Sequence, residues 1–430
     1  MEAVDVVIVG AGPAGLATSA CLNRLSIPNI VLEREDCYAS LWQKRAYDRL
    51  KLHLAKEYCE LPFMPFPSDA PTFVPRRGFI DYLHSYVSHF RINPRCNTAV
   101  ESAYRDEESG KWHIKAKKAD LNVHEEYVAK FLVVATGENS KGFVPEVSGL
   151  DSFGGEFMHS SKYENGQKYK GKAVLVVGCG NSGMEIAYDL SNCGVRTSIV
   201  ARSPVHVLTT NIVYIGMRLL SYGVPCNIVD FIVVLLSRLK HGDISNYGFP
   251  RPTRGPFYIK QSVGRTPTID VGAVEKIRRK EVQVFPSIRG IQGSKIEFAN
   301  GEVEQFDAII FATGYKSTVR HWLKGGHDLF DGSGMPKLCF PNIWKGKDGL
   351  YCSGFARRGL FGISVDSQNI AKDIDLALRS ERVLIGIPDA RKAPIRENPS
   401  CYVDLFVILL SQIKINVLYV HRINFDSVFL

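Results

Sequence analysis

Two glycine triplets carry the chemistry legible in this chain, and both belong to loops that grip phosphate. The first, Gly10-Ala11-Gly12-Pro13-Ala14-Gly15, follows the apolar, β-branched run Val6 to Val9. Gly10 allows a tight turn, Gly12 lets the backbone approach a pyrophosphate, and Gly15 lets a helix pack closely on its strand. A diphosphate can then sit at the positive helix N-terminus. The next apolar run, Ile30 to Leu32, ends in Glu33-Arg34, where a carboxylate can accept hydrogen bonds from a ribose. The second triplet, Gly178-Cys179-Gly180-Asn181-Ser182-Gly183, repeats the pattern after Ala173 to Val177. Its second strand ends in Ala201-Arg202, so the acid is missing and a guanidinium stands in its place. That exchange favours a 2′-phosphate, hence NADP over NAD. A solvated surface arginine is the bland alternative.

The elements that must position these loops are strand, turn, helix and strand, twice over. A second internal repeat supports the pairing. KFLVVATGENS, Lys130 to Ser140, and FDAIIFATGYKS, Phe306 to Ser317, are both apolar strands running into Ala-Thr-Gly, each downstream of its own glycine triplet. Small residues there let the backbone turn beneath a cofactor. Arg95 to Val134 reads as strands split by the turn at Asp106 to Lys111, a β-meander. The fold class expected is α/β, with two Rossmann-like dinucleotide-binding domains, the second inserted in the first. The first domain is expected over 1–164, the insertion over 165–305, a return segment over 306–380 and a divergent tail over 381–430.

Composition narrows the function. The 430 residues are 45% hydrophobic and 23% charged, a soluble globular profile long enough for two or three domains. A net charge of +9 without a Lys/Arg block or an aromatic-interleaved basic stripe gives nucleic-acid binding little support. Ten cysteines show no CxxC pair and no metal-ligand spacing, and the N-terminus reads as neither signal nor anchor. The expected setting is reducing and cytoplasmic, with the cytosolic face of the endoplasmic reticulum as the alternative. Ile212 to Lys240 is apolar but broken at Gly223-Val224-Pro225 and charged at Arg218 and Asp230, so a helical hairpin is expected there and no membrane span. Cys401 to Val420 is also apolar but interrupted by Asp404, Gln412, Lys414 and Asn416. Weak contact with a membrane surface stays open.

Phe153-x-Gly155-x-x-x-His159-x-x-x-Tyr163 resembles the signature of flavin-dependent monooxygenases. The chain more closely resembles the plant YUCCA flavin monooxygenases of auxin synthesis. That resemblance rests on the two triplets, Glu33-Arg34, Ser40-Leu41-Trp42, Tyr47 to Leu54 (YDRLKLHL), Leu61-Pro62, Ala135 to Asn139, Phe311 to Tyr315, Gly354-Phe355 and Arg357-Arg358-Gly359. It implies FAD at the first site and NADPH at the second. It also implies conversion of indole-3-pyruvate, a 2-oxo acid, to indole-3-acetate with O₂ and loss of CO₂. A flavin C4a-peroxide would attack the ketone, so the protein needs to orient partners and exclude water and needs no nucleophile of its own. Trp42 is assigned to the cofactor site on the same ground. Asn139 is the side chain expected near the reacting flavin, because a neutral amide donates without competing as a base; an Asn satisfying a turn is the rival reading. His159 is expected to orient the interdomain linker, and Arg357-Arg358 to meet flavin phosphate, a substrate carboxylate or solvent. The chain departs from the family pattern at Ser140, where Ala is usual, and after about Ser380. A disulfide reductase lacks its cysteine pair here. A monooxygenase acting on nitrogen or sulfur, and a non-catalytic nucleotide binder, remain as alternatives.

Overall fold

The computed structural model describes residues 1–338 and 341–384. The expected tail, 381–430, therefore lies outside the described residues from 385 onward, as does the apolar stretch Cys401 to Val420. Two sheets organise the chain. In the first, β1 (Glu2–Val9) leads into α1 (Pro13–Arg24) and β2 (Asn29–Leu32). The chain then passes through α2 (Ser40–Lys44) and α3 (Arg76–His89) before β3 (Thr98–Arg105), β4 (Trp112–Lys118) and β5 (Val123–Val134). The order is β2-β1-β5-β4-β3, with the strand Leu350–Cys352 also parallel to β5. β1 pairs parallel with β2 and β5, and Val6, Val7 and Ile8 are wholly buried. A parallel strand covered on both faces reads as an unbroken β-branched run, which is what Val6 to Val9 shows. The expected meander is present as the antiparallel ladder β3-β4-β5. Its last strand runs directly to Ala135-Thr136-Gly137.

A two-residue strand, β6 (Lys141–Gly142), carries the chain across to the second sheet. There β7 (Glu156–His159), β8 (Ala173–Val177), α4 (Asn181–Asn192) and β9 (Arg196–Val200) follow in turn. The sheet order is (Val282–Phe285)-β9-β8-(Ala308–Phe311)-β7, parallel throughout. This differs from the expected boundaries, because β7 precedes 165 and Ala308–Phe311 follows 305, yet both strands lie in the second sheet. The reason is the repeat itself: the strand ending in Ala-Thr-Gly flanks β1 in the first sheet, and its counterpart flanks β8 in the second. The return crossing, Tyr315–Lys316, pairs antiparallel with β6, so the two crossings tie each other together.

Ile212 to Lys240 folds as the expected hairpin, α5 (Thr210–Ser221) and α6 (Cys226–His241), turning at Gly223 with φ +79°. No helix among the described residues is long and apolar enough to cross a membrane. A further helix, α7 (Pro256–Val263), packs on α6. The last described helix, Gly359–Leu384, lies against α1, where Thr18 and Ser367 exchange a hydroxyl hydrogen bond at 3.1 Å.

Candidate functional site

The glycine loops have nearly the same geometry. Gly10 sits at φ +106° and Gly178 at φ +111°, in the left-handed region that only glycine enters without strain. A Cβ on Gly10 would lie 2.7 Å from the Ala135 carbonyl oxygen, and one on Gly178 2.5 Å from that of Ala312. Gly15 and Gly183 are tighter still, at 1.9 Å from the Gly10 oxygen and 1.8 Å from the Gly178 oxygen. Each Ala-Thr-Gly therefore abuts the first glycine of its own triplet, and Ala135 and Ala312 must be small to fit. At the middle glycines the result reverses. A Cβ on Gly12 or Gly180 meets nothing within 4 Å, so each loop keeps open space where a pyrophosphate would lie. The chain thus fits two dinucleotides on this ground.

Around the first loop the expected residues gather in one cleft. Gly10, Gly12, Pro13, Glu33, Arg34, Trp42 and Asn139 line it, with Thr98, Thr318 and Trp322, which the sequence did not single out. Ala11 donates its N–H to Glu33 Oε2 at 2.7 Å, and Glu35 donates to Glu33 Oε1 at 3.0 Å. Burial pushes the Glu33 carboxyl above its usual range while these two bonds pull it back. Arg34 donates to the Ser140 carbonyl at 3.1 Å, which joins the end of β2 to the turn after Ala-Thr-Gly. Trp42 meets Phe79 edge to face at 4.5 Å. Ala14 is buried beneath Gly354, where a Cβ would come within 2.9 Å of the Ala14 Cβ.

Ser140, the departure from the family pattern, fastens that turn. Its buried hydroxyl lies 2.8 Å from both the Thr136 and the Gly137 carbonyls. Asn139 is exposed, and its side chain makes no hydrogen bond to the described residues. The Ser140 hydroxyl thus satisfies two carbonyls of the turn, while Asn139 lines the cleft beside it.

The second loop is held differently. Thr268 donates to the Cys179 carbonyl at 3.0 Å, and burial raises the Cys179 thiol above its usual range. Asn181 opens α4 and accepts the Ile269 N–H at 2.8 Å, leaving its amide NH₂ for His53 Nδ1 at 3.2 Å. His53 Nε2 then donates to the buried Glu185 at 2.7 Å. His53 and Asn181 stand in separate motifs of the sequence, and nothing in either motif marks that they touch across the chain. Ser182 is half-buried beside them. Arg202 stands exposed past the end of β9, with no hydrogen bond or ion pair to the described residues. A basic cleft begins a few residues further on, at Pro204, and is lined by His206, Arg251, Arg254 and Arg265. Nothing in the spacing of those residues announced it.

The monooxygenase-like signature links the two units. Phe153 and Tyr163 are buried in the second unit's core, and Tyr163 donates to Asp189 at 2.6 Å. A Cβ on Gly155 would lie 2.3 Å from the Asp307 carbonyl. His159 Nδ1 accepts the Ser161 N–H at 3.1 Å, so its Nε2 donates to the Gly314 carbonyl at 2.9 Å. Burial lowers the ring's affinity for a proton. The ring thus sits against the return crossing, edge to face with Tyr315 at 4.8 Å. Among the described residues no group of His, Cys, Asp and Glu could hold a metal, and the eight described cysteines are all unpaired.

Residues 7–214 match the model of the pyridine nucleotide-disulphide oxidoreductase family. The chain is 53% identical over 375 residues to a probable indole-3-pyruvate monooxygenase, YUCCA10, of Arabidopsis thaliana, covering 87% of this chain and 97% of that one. It is 46% identical over 375 residues to the indole-3-pyruvate monooxygenase YUCCA6 of the same plant, covering 86% and 89%. Among solved structures, a flavin-containing monooxygenase from Stenotrophomonas maltophilia aligns with a TM-score of 0.66 at 19% identity, over 88% of this chain and all of that one. A closed form of cyclohexanone monooxygenase aligns at 0.69 and 17%, over 88% and 85%. These structural likenesses are to the fold.

Proposed function

The chain belongs to the YUCCA family of indole-3-pyruvate monooxygenases, and from that premise we propose that it converts indole-3-pyruvate, O₂, NADPH and a proton to indole-3-acetate, CO₂, water and NADP⁺. It is an oxidoreductase that uses a flavin and a nicotinamide cofactor. On this reading FAD occupies the first glycine loop and NADPH the second. The observation that carries the reading is the pair of matched loops with opposite closing residues, Glu33 and Arg202. A bound flavin supplies electron transfer from the nicotinamide to oxygen.

The protein's own part is binding, orientation and exclusion of water. Gly10, Ala11, Gly12, Pro13, Ala14 and Gly15 cradle the flavin diphosphate, Glu33 and Arg34 hold its adenosine end, and Trp42 walls the cleft. Gly178, Cys179, Gly180, Asn181, Ser182 and Gly183 do the same for the nicotinamide diphosphate, with Arg202 on the 2′-phosphate. Asn139 donates a hydrogen bond at the reacting edge and shields it from water. The inserted unit then runs from about 143 to 314, between the two crossing strands. A cytoplasmic setting accords with eight unpaired cysteines among the described residues.

The test is turnover under ¹⁸O₂ by purified protein, with product read by mass spectrometry. One labelled oxygen in indole-3-acetate supports the reading. Unlabelled product, or oxidation of an amine or sulfide in its place, overturns it.

A further inference from the structure

Three segments distant in sequence meet beside the first cleft. They are Glu138, next to the cleft-lining Asn139; α7 with its closing turn at Val263-Gly264; and the loop leading into the last described helix. Arg357, in that loop, holds φ +53°, the left-handed region that a long side chain enters only with strain. Its guanidinium donates to the Val263 carbonyl at 3.1 Å. Gly264 leaves room for it, since a Cβ there would come within 2.5 Å of Arg357 Cδ. Lys260 Nζ donates to the Gly264 carbonyl at 3.3 Å. Lys260 and Arg357 therefore share one turn.

The charges around that turn do not balance. Arg358 faces the buried Asp366, which leaves Lys260 and Arg357 with Glu138. Glu138 Oε2 stands 3.8 Å from Arg357 Nε, too far for a hydrogen bond. Burial lowers the Lys260 amine and raises the Glu138 carboxyl, so neither charge is fully compensated by the other. Yet the place is open: the Arg357 side chain is 48% exposed and that of Glu138 29%. Two cations facing one loosely held carboxylate leave a net positive charge that a second carboxylate would meet with charge-assisted bonds.

We propose that Lys260 and Arg357 form the seat for the carboxylate of the 2-oxo acid, with Lys260 contributed by the nicotinamide side and Arg357 by the loop on the flavin side. This rests on the proposed function and specifies how it selects acids over neutral ketones. Because the seat spans both units, it brings the substrate to their junction.

The test is calorimetric titration of the holoenzyme with indole-3-acetate and with its neutral amide, indole-3-acetamide, in wild type, Lys260→Gln, Arg357→Gln and Lys260→Arg. The expected result is that Lys260→Gln and Arg357→Gln each weaken the carboxylate by about tenfold to a hundredfold. The amide is left unmoved, and Lys260→Arg restores most of the acid's binding. Equal loss for acid and amide, or no loss for either, overturns the seat. Binding is read without turnover, so the outcomes separate. A wild type that prefers the acid but yields no labelled indole-3-acetate keeps the seat and loses the proposed reaction.

Discussion

At Gly10 and at Gly178 the backbone makes the same left-handed turn, and a Cβ on Gly15 or Gly183 would strike the loop below at almost the same distance. The strands that follow end in opposite ways. Glu33 is buried and bound by two backbone N–H groups, whereas Arg202 is exposed and makes no bond to the described residues. The acid is thus part of its own loop, whereas the guanidinium is not. The glycines are shared; on the proposed reading it is the closing residue that chooses the occupant.

The comparison can be broken most severely at the tight glycines. Gly15→Val and Gly183→Val each require a backbone shift, costing about 3 kcal/mol or more. Thermal unfolding should show a large fall in Tm for both, and an unshifted Tm in either would contradict the packing described. The middle glycines separate cradle from scaffold. Gly12→Ala and Gly180→Ala meet no protein atom, so both variants should fold. Gly12→Ala should purify colourless, while Gly180→Ala should stay yellow yet resist bleaching by NADPH without air. Loss of colour in both would mean that the loops do not serve separate ligands.

Arg202→Ala sharpens the contrast between closing residues. Losing a charge-assisted contact to a dianionic phosphate costs about 1.5 to 3 kcal/mol, so the NADPH over NADH preference in kcat/KM should narrow at least about tenfold. An unchanged ratio would shift attention to the basic cleft at His206, Arg251, Arg254 and Arg265. The smallest effect is expected at Asn139→Ala, where one neutral hydrogen bond is worth about 1 kcal/mol. That variant should keep its flavin and its reduction by NADPH but release hydrogen peroxide in place of part of the product. Unaltered coupling would remove Asn139 from the site.

What was legible in the sequence was local. Each glycine's role follows from the few residues around it, and the meander and the α5–α6 hairpin follow from turn residues inside apolar runs. The extent of the second sheet was harder to read, because β7 and Ala308–Phe311 join it from either side of the insertion and carry no mark of their partner. The repeat held the clue, since both Ala-Thr-Gly strands must flank a glycine loop. The contacts between units were not legible. His53 reaches Asn181 and Glu185 over more than a hundred residues of chain, and Lys260 meets Arg357 only once both units have folded. Ser140 shows the reverse case, a departure visible in sequence whose bonds to two carbonyls of one turn appear only in the folded chain.

The central claim is that two unlike cradles serve a single reaction, and the ratio of NADPH consumed to indole-3-acetate formed tests it most directly. With purified protein, saturating indole-3-pyruvate and air, the account expects one NADPH oxidised for each indole-3-acetate released. NADPH oxidation that yields hydrogen peroxide and no indole-3-acetate, however fast, would contradict it.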